Sequence, residues 1–265
     1  MKNSLPNIKV LIAEDNEVNK LLVKRMLEHW GMSYKTAHNG FEVLELVHTE
    51  DFDIILMDIQ MPDKNGIDAA REIRNLVDET KKNIPIIALT ANALKGEEKK
   101  YQEVGMNDFL TKPFKEKELL AVLQRVFNNS NTFGSRFAFA MNTSDTENTN
   151  ASEQLYNLSL VNDLAEGNTD FVKSLVQIFI DTIPPTSKEM LACIEKAEWE
   201  QAGKLAHKLK STIDTMQIVS IKEDIRFIEL NGKNRINTDQ IPTIANKVDA
   251  VITTATIQLK AEFEL

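Results

Sequence analysis

The sequence predicts an α/β doubly wound five-stranded parallel sheet followed by an all-α antiparallel helix bundle. Three observations carry that expectation. Over residues 8–127, short apolar runs alternate with amphipathic segments, the pattern of a parallel sheet covered on both faces. Residues 128–151 are dominated by Asn, Ser and Thr and show no hydrophobic period, as a flexible linker would. From Ser152 onward the periodicity is helical throughout, which suits a bundle. The expected organisation is a first domain over 1–127, a linker over 128–151 and a helical domain over 152–265.

The elements follow in order. Ile8 to Ala13 reads as a strand, and Asn16 to Trp30 as a helix with Val18, Leu21, Leu22 and Met26 on one face and Gly31 as its stop. Ser33 to Ala37 is a second strand, and Phe41, Leu44 and Val47 mark a helix. Ile54 to Asp58 is a third strand, with Ile67, Ala70, Ile73 and Val77 marking the next helix. Ile84 to Leu89, a weaker helix over Leu94 to Val104, the short strand Asp108 to Leu110, and a helix marked by Leu119, Leu120, Leu123 and Val126 complete the set. In the linker, Phe133, Phe137, Phe139 and Met141 either dock on a neighbouring surface or are incidental apolar residues. Beyond it, Asn168-Thr169-Asp170 can cap a helix from Phe171 to Ile183. Pro184-Pro185 is expected to end that helix and start another to Ala197. Glu200 to Met216, Ile218 to Leu230 and Ile241 to Glu262 follow, with Asn231-Gly232 separating the last two.

Composition narrows the function. The chain has 265 residues, enough for two ordinary domains. Apolar residues at 42% and charged residues at 27% describe a soluble protein. Its net charge is −9, which argues against a dedicated nucleic-acid binder, because phosphate contacts need clustered Lys and Arg. The single cysteine, Cys193, rules out an internal disulfide and a multi-cysteine metal site, and its apolar neighbours suggest a small buried residue. No apolar run reaches membrane-spanning length. The N-terminus lacks the apolar core of a signal peptide, so a cytoplasmic location is expected. The nine glycines are too dispersed for a dinucleotide fingerprint or a phosphate-cradling Gly-Lys loop.

The stretch around Asp58 carries the chemistry. Four apolar residues, Ile54-Ile55-Leu56-Met57, precede one carboxylate and then a turn rich in Pro, Asp, Asn and Gly. Such a run reads as a strand buried on both faces, with Asp58 at the carboxyl edge where open α/β sheets bind ligands. Taken alone, Asp58 is either that or a cap of the following helix. The first strand ends in Glu14-Asp15, and the ends of strands one and three are neighbours. Three converging carboxylates repel unless a cation neutralises them, and all-oxygen ligands suit Mg²⁺. Thr90 ends the fourth strand, and Lys112 follows the fifth. Carboxylates, a divalent cation, a hydroxyl and an ammonium make a site for a phosphoryl group, with one carboxylate as nucleophile.

Residues 8–127 resemble a response-regulator receiver domain, a flavodoxin-like fold, and particularly the receivers of hybrid sensor kinases. The resemblance rests on Leu11-Ile12-Ala13-Glu14-Asp15-Asn16-Glu17-Val18-Asn19, Met57-Asp58-Ile59-Gln60-Met61-Pro62, Ala88-Leu89-Thr90-Ala91-Asn92-Ala93 and Leu110-Thr111-Lys112-Pro113. It implies that Asp58 is the aspartyl phosphoacceptor. Glu14, Asp15, Asp58 and the backbone carbonyl of Gln60 would hold Mg²⁺. Thr90 and Lys112 would contact phosphoryl oxygens, and the Lys112-Pro113 bond would be cis. Phe109 matches the family's switch aromatic, often tyrosine, with core packing as its other reading. The family's Asp-Gly turn is Asn65-Gly66 here. A phosphatase with an aspartyl nucleophile is a rival, but it usually wants a second carboxylate two residues on, where this chain has Gln60.

His29, His38 and His48 lie near helix ends or turns without a partner pattern and read as surface or packing residues. His207 differs. At about 100° per residue, Ala202, Leu205, Ala206, Leu209, Ile213 and Met216 share an apolar arc, and His207 lies opposite with Lys210, Ser211 and Asp214 beside it. On geometry alone it is an ordinary solvated histidine. Ala206-His207-Lys208-Leu209-Lys210, however, resembles the phosphoacceptor motif of histidine-containing phosphotransfer (HPt) domains. Leu164 to Phe171, Phe179-Ile180 and Trp199-Glu200 match that family's framework. The resemblance covers about 155–260. It implies that His207 accepts phosphate on an exposed imidazole nitrogen and that Lys210 offsets its charge. Ser211 and Gln217 stand where that motif usually has glycine, which bears on partner docking.

The expected function is a two-component phosphorelay, with phosphate exchanged between Asp58, His207 and outside partners: a histidine kinase, a downstream response regulator, or both. The receiver would catalyse its own aspartyl phosphorylation. No ATP-binding kinase core is visible in this chain, no DNA-binding domain is seen, and no membrane span is expected. The linker would hold one module near the other at roughly millimolar effective concentration. The alternative is a non-catalytic signalling scaffold that binds a kinase or regulator without phosphate transfer by the helical domain.

Overall fold

The computed structural model describes residues 7–91, 97–127 and 154–265. The expected linker over 128–151, with its Phe133, Phe137, Phe139 and Met141, lies outside them, as do Asn92, Ala93 and the start of the helix expected from Leu94. The chain forms two compact units, Met1–Thr146 and Glu147–Leu265.

The first unit is built on five parallel strands, β1 Lys9–Ala13, β2 Ser33–Ala37, β3 Ile54–Asp58, β4 Ile86–Thr90 and β5 Asp108–Thr111, in the order β2-β1-β3-β4-β5. Helices α1 Glu17–His29, α2 Gly40–Thr49, α3 Gly66–Arg74, α4 Glu79–Lys82, α5 Glu97–Glu103 and α6 Glu116–Phe127 connect and cover them. Ile54, Ile55, Leu56 and Met57 are wholly buried, as an uninterrupted apolar strand in a two-sided sheet requires; each such side chain contributes about 1.5–3 kcal/mol. Two expected core residues are not core. Phe41 is 57% exposed, and Lys64 Nζ lies over its ring at 4.8 Å; Val47, as expected, and Val43 make the buried face of α2. Val77 is 97% exposed, because α3 stops at Arg74 and the chain leaves the helical repeat before reaching it.

The second unit contains α7 Ser159–Ala165, α8 Thr169–Glu195, α9 Trp199–Thr215, α10 Lys222–Asn234 and α11 Ile241–Phe263, with a short 3₁₀ turn at Val219–Ile221 before α10. Asn168 caps α8, its side chain accepting from Phe171 N at 3.0 Å. Two expectations fail here. Pro184-Pro185 does not divide the helix; α8 runs unbroken through both. Pro185 is exposed and Pro184 only half-buried, while Phe179, Ile183, Ser187 and Met190 continue one buried stripe across them. That shared face outweighs the roughly 3 kcal/mol cost of an interior proline. Nor does Gly232 break α10. The helix continues to Asn234 and ends at Arg235, which takes a left-handed conformation with φ 54°. Gly232 serves close packing: a Cβ there would stand 2.6 Å from Trp199 O and 3.0 Å from Gly203 N on α9. The two glycines let α9 and α10 touch backbone to backbone.

Candidate functional site

Strand register assembles the first site. Ala13 pairs with Met57, so Glu14 and Asp15 emerge beside Asp58. Asp58 pairs with Leu89, and Thr90 with Thr111, which brings Thr90 and Lys112 to the same edge; Lys112 N donates to Thr90 O at 2.7 Å. The carboxylate oxygens of Glu14, Asp15 and Asp58 lie within 4.8 Å of one another. Lys112 Nζ donates to Glu14 Oε2 and to Asp58 Oδ2, each at 2.5 Å. Gln60 N donates to Asp58 Oδ1 at 3.0 Å. Asp58 is 5% exposed and Glu14 fully buried. The Lys112-Pro113 bond is cis.

The helix-cap reading of Asp58 is displaced by Asn65, whose side chain caps α3 by accepting from Asp68 N at 2.9 Å. Gly66 is needed for space: a Cβ there would stand 2.1 Å from Asp58 O.

The electrostatics follow from burial. Loss of water pushes the Glu14 carboxyl up to about 8, against the pull of Lys112 and reinforced by Asp58 and Asp15. Burial alone would lower the Lys112 ammonium, but the paired charges of Asp58 and Glu14 outweigh it and hold the group above its ordinary value. Three clustered carboxylates, one of them strained in this way, form a hard oxygen donor set that fits a divalent cation such as Mg²⁺.

In the second unit, His207 stands on α9 with its side chain 18% exposed. Its Nδ1 lies 2.7 Å from Glu229 Oε1 on α10. Lys210 Nζ donates to Glu229 Oε2 at 2.6 Å, and Lys233 Nζ to Glu229 Oε1 at 3.0 Å. The polar face of α9 is therefore not an open solvated face. Lys210 and Asp214 are buried, and Asp214 Oδ2 accepts from Arg226 Nη2 of α10 at 2.8 Å. Periodicity registered only the apolar arc of α9; the close approach at Gly203 and Gly232 lays a second helix over the other side. Gln217 has φ 49°, the left-handed region where glycine costs least, and its Nε2 donates to Ser159 Oγ at 3.2 Å. Among the other histidines, His38 has a partner that its sequence did not signal: Lys20 Nζ donates to its Nδ1 at 2.9 Å.

Residues 10–124 match the family described as the response regulator receiver domain. This segment is a receiver domain. Hybrid signal transduction histidine kinase I of Dictyostelium discoideum is 41% identical over 120 residues, 43% of this chain and 7% of that protein. Signal transduction histidine-protein kinase BarA of Escherichia coli is 30% identical over 220 residues, 83% of this chain and 23% of BarA. The chain thus spans under a quarter of the length of either relative. A solved receiver domain of a sensor histidine kinase from Pseudomonas aeruginosa, with a magnesium ion in its active-site cleft, is 40% identical; the match covers 46% of this chain and 98% of that one, with a TM-score of 0.43.

The receiver carries a further polar residue at the site that no local pattern in the sequence marks. Tyr101 of α5 is 1% exposed and donates its hydroxyl to Thr90 Oγ1 at 3.1 Å. Glu229 was likewise unforeseen. An acidic residue on an amphipathic helix has no signature of its own, and its role depends on which side of α9 it meets.

Proposed function

We propose that this chain is a phosphorelay protein with two phosphate stations, Asp58 of the receiver and His207 of a phosphotransfer bundle over 152–265. The observation that carries the reading is the convergence of Asp58, Glu14, Asp15, Thr90 and Lys112 at one sheet edge. The likeness to BarA supports the second station, because its 220 residues exceed the whole first unit and extend into the helical one.

Asp58 Oδ attacks the phosphorus of a donor phosphohistidine. The new O–P bond forms as the P–N bond breaks, and the electron pair returns to the donor imidazole. Lys112 and the Thr90 hydroxyl face the charge gathering on the phosphoryl oxygens. Glu14, Asp15, Asp58 and the carbonyl of Gln60 would hold Mg²⁺, which supplies charge neutralisation when bound. In the second transfer, His207 Nε2 attacks the phosphorus, the acyl O–P bond breaks, and the Asp58 carboxylate is regenerated. Nδ1–H donates a hydrogen bond to the Glu229 carboxylate, so the neutral ring keeps its lone pair on Nε2, and the carboxylate stabilises the positive charge that the ring gains. Lys210 and Lys233 balance Glu229. The phosphate source and its destination are a histidine kinase and a response regulator.

The test is chemical. The chain is incubated with a small phosphodonor and Mg²⁺, with candidate kinases and receivers added in turn, and the acid and base stability of the label is compared in wild type, Asp58→Asn and His207→Gln. A base-labile label lost in Asp58→Asn and an acid-labile label lost in His207→Gln are expected. A wild type that stays unlabelled under every condition would sink the relay. Label that never reaches His207 would favour the scaffold reading, which the Gln217 side chain at the end of α9 keeps open.

A further inference from the structure

Tyr101 plays no part in the chemistry above, yet it touches the site. Its hydroxyl donates to Thr90 Oγ1 at 3.1 Å. A second acceptor, Glu97 Oε2, lies 3.5 Å from the same oxygen, and Glu97 Oε1 accepts from Lys100 Nζ at 2.5 Å. The Tyr101 ring meets that of Phe109, with centroids 6.3 Å apart and planes inclined by 46°. Phe109 packs there but has no hydroxyl with which to respond to Thr90.

A phenol has one proton to give, and burial raises its affinity for that proton. A buried donor left without an acceptor is costly. A Thr90 hydroxyl drawn toward a phosphoryl oxygen on Asp58 gives up its place beside the phenol. Glu97, one turn earlier on α5, is the acceptor already within reach. We infer that Tyr101 couples the phosphoryl site to α5, its hydroxyl passing from Thr90 Oγ1 to the Glu97 carboxylate when Asp58 carries a phosphoryl group. The inference rests on the phosphorylation reading of the receiver. It assigns to Tyr101 the response that Phe109 lacks, and it makes the Glu97–Lys100 ion pair the part of the surface that feels the change. In the unmodified chain the phenol sits on Thr90, so that arrangement is the lower in energy, and its hydrogen bond opposes the phosphorylated state.

The chain has three tyrosines, so tyrosine labelled with ¹³C at Cζ gives a spectrum that single Tyr→Phe variants can assign. The full chain is titrated with beryllofluoride and Mg²⁺, and ¹⁹F NMR reports binding at Asp58. The Tyr101 resonance is expected to move, with Tyr34 and Tyr156 unchanged. Tyr101→Phe is expected to bind beryllofluoride more tightly, by less than the roughly two- to tenfold weight of one neutral hydrogen bond, because the Glu97 carboxylate returns part of it to the wild type. A stationary Tyr101 resonance alongside a bound fluorine signal overturns the inference, as does weaker binding by Tyr101→Phe. If that variant does not fold, the wild-type resonance decides alone. Absence of any bound fluorine signal overturns the phosphorylation reading itself, and this inference with it.

Discussion

Glu229 Oε1 on α10 lies 2.7 Å from Nδ1 of His207 on α9. In the proposed transfer that one carboxylate sets which imidazole nitrogen is available and supplies the counter-charge for the phosphorylated ring. Glu229→Gln keeps the shape and removes the charge. Transfer to His207 is expected to slow roughly ten- to hundredfold, the range of a charge-assisted hydrogen bond, with labelling of Asp58 unchanged. Rapid-quench measurement of acid-labile label checks it; an unaltered rate would remove Glu229 from the chemistry.

The same residue predicts an acid response. Burial draws the Glu229 carboxyl up, but His207 and Lys210 outweigh it and hold the group well below the ordinary 4.5. A carboxyl depressed on folding contributes stability that is fully present above its unfolded value and is lost as pH falls through the folded one. The stability difference between wild type and Glu229→Gln is therefore expected to be largest above about pH 5 and to shrink below about pH 4.5. Hydrogen exchange of α9 and α10 amides across that range measures it, and a difference that widened in acid would contradict the assignment.

Lys112 is the cation between Glu14 and Asp58. Lys112→Met leaves two carboxylates buried without it, at an expected loss of about 3–5 kcal/mol in receiver stability. Mg²⁺ should restore part of that, since a ligand at a hundred times its Kd adds about 2.7 kcal/mol, whereas labelling of Asp58 should stay slow. Thermal unfolding with and without Mg²⁺, with Asp15→Asn as the variant that loses the metal response, separates structure from chemistry.

Gly232→Ala reverses a general rule. In an open helix interior the change gains up to about 1 kcal/mol. Here the new Cβ would meet Trp199 O at 2.6 Å, and overpacking costs about 1–3 kcal/mol. Urea unfolding of the bundle should show destabilisation and weaker protection of Glu229-proximal amides; a gain in stability would mean that the helices part without cost.

Gln217→Gly should act in the opposite sense. With φ at 49°, glycine relieves about 1 kcal/mol of left-handed strain, less the small contribution of the exposed bond to Ser159 Oγ. The same unfolding experiment checks it, and partner docking can be compared at once.

Much of the receiver was legible because its signals are local. A strand buried on both faces must read as a continuous apolar run, and the residue that ends it must reach the sheet edge; Asp58 and Thr90 follow from that, while Glu14 and Lys112 follow from standing just past the ends of β1 and β5. Where a helix has one open side, periodicity overreached: Phe41 and Val77 kept the spacing of a core stripe but fell at a helix start and beyond a helix end. In the bundle, proline and glycine were read by their local habits. Pro184-Pro185 failed as a break because a shared buried face carried α8 through, and Gly232 failed as one because it was small for its neighbour's sake.

By itself, then, the sequence determined the sheet and the residues that converge at its edge, since alternation and strand ends are properties of a chain segment. It also singled out His207 by its motif. Only the tertiary structure decided that Asn65 caps α3 and leaves Asp58 to the site, that Tyr101 holds Thr90, and that Glu229 holds His207. Each of these is a contact between side chains from different elements, and which elements touch depends on packing rather than on any local pattern. Across α9 and α10, that packing came down to two glycines, Gly203 and Gly232, which bring the helices close enough for a carboxylate to reach an imidazole.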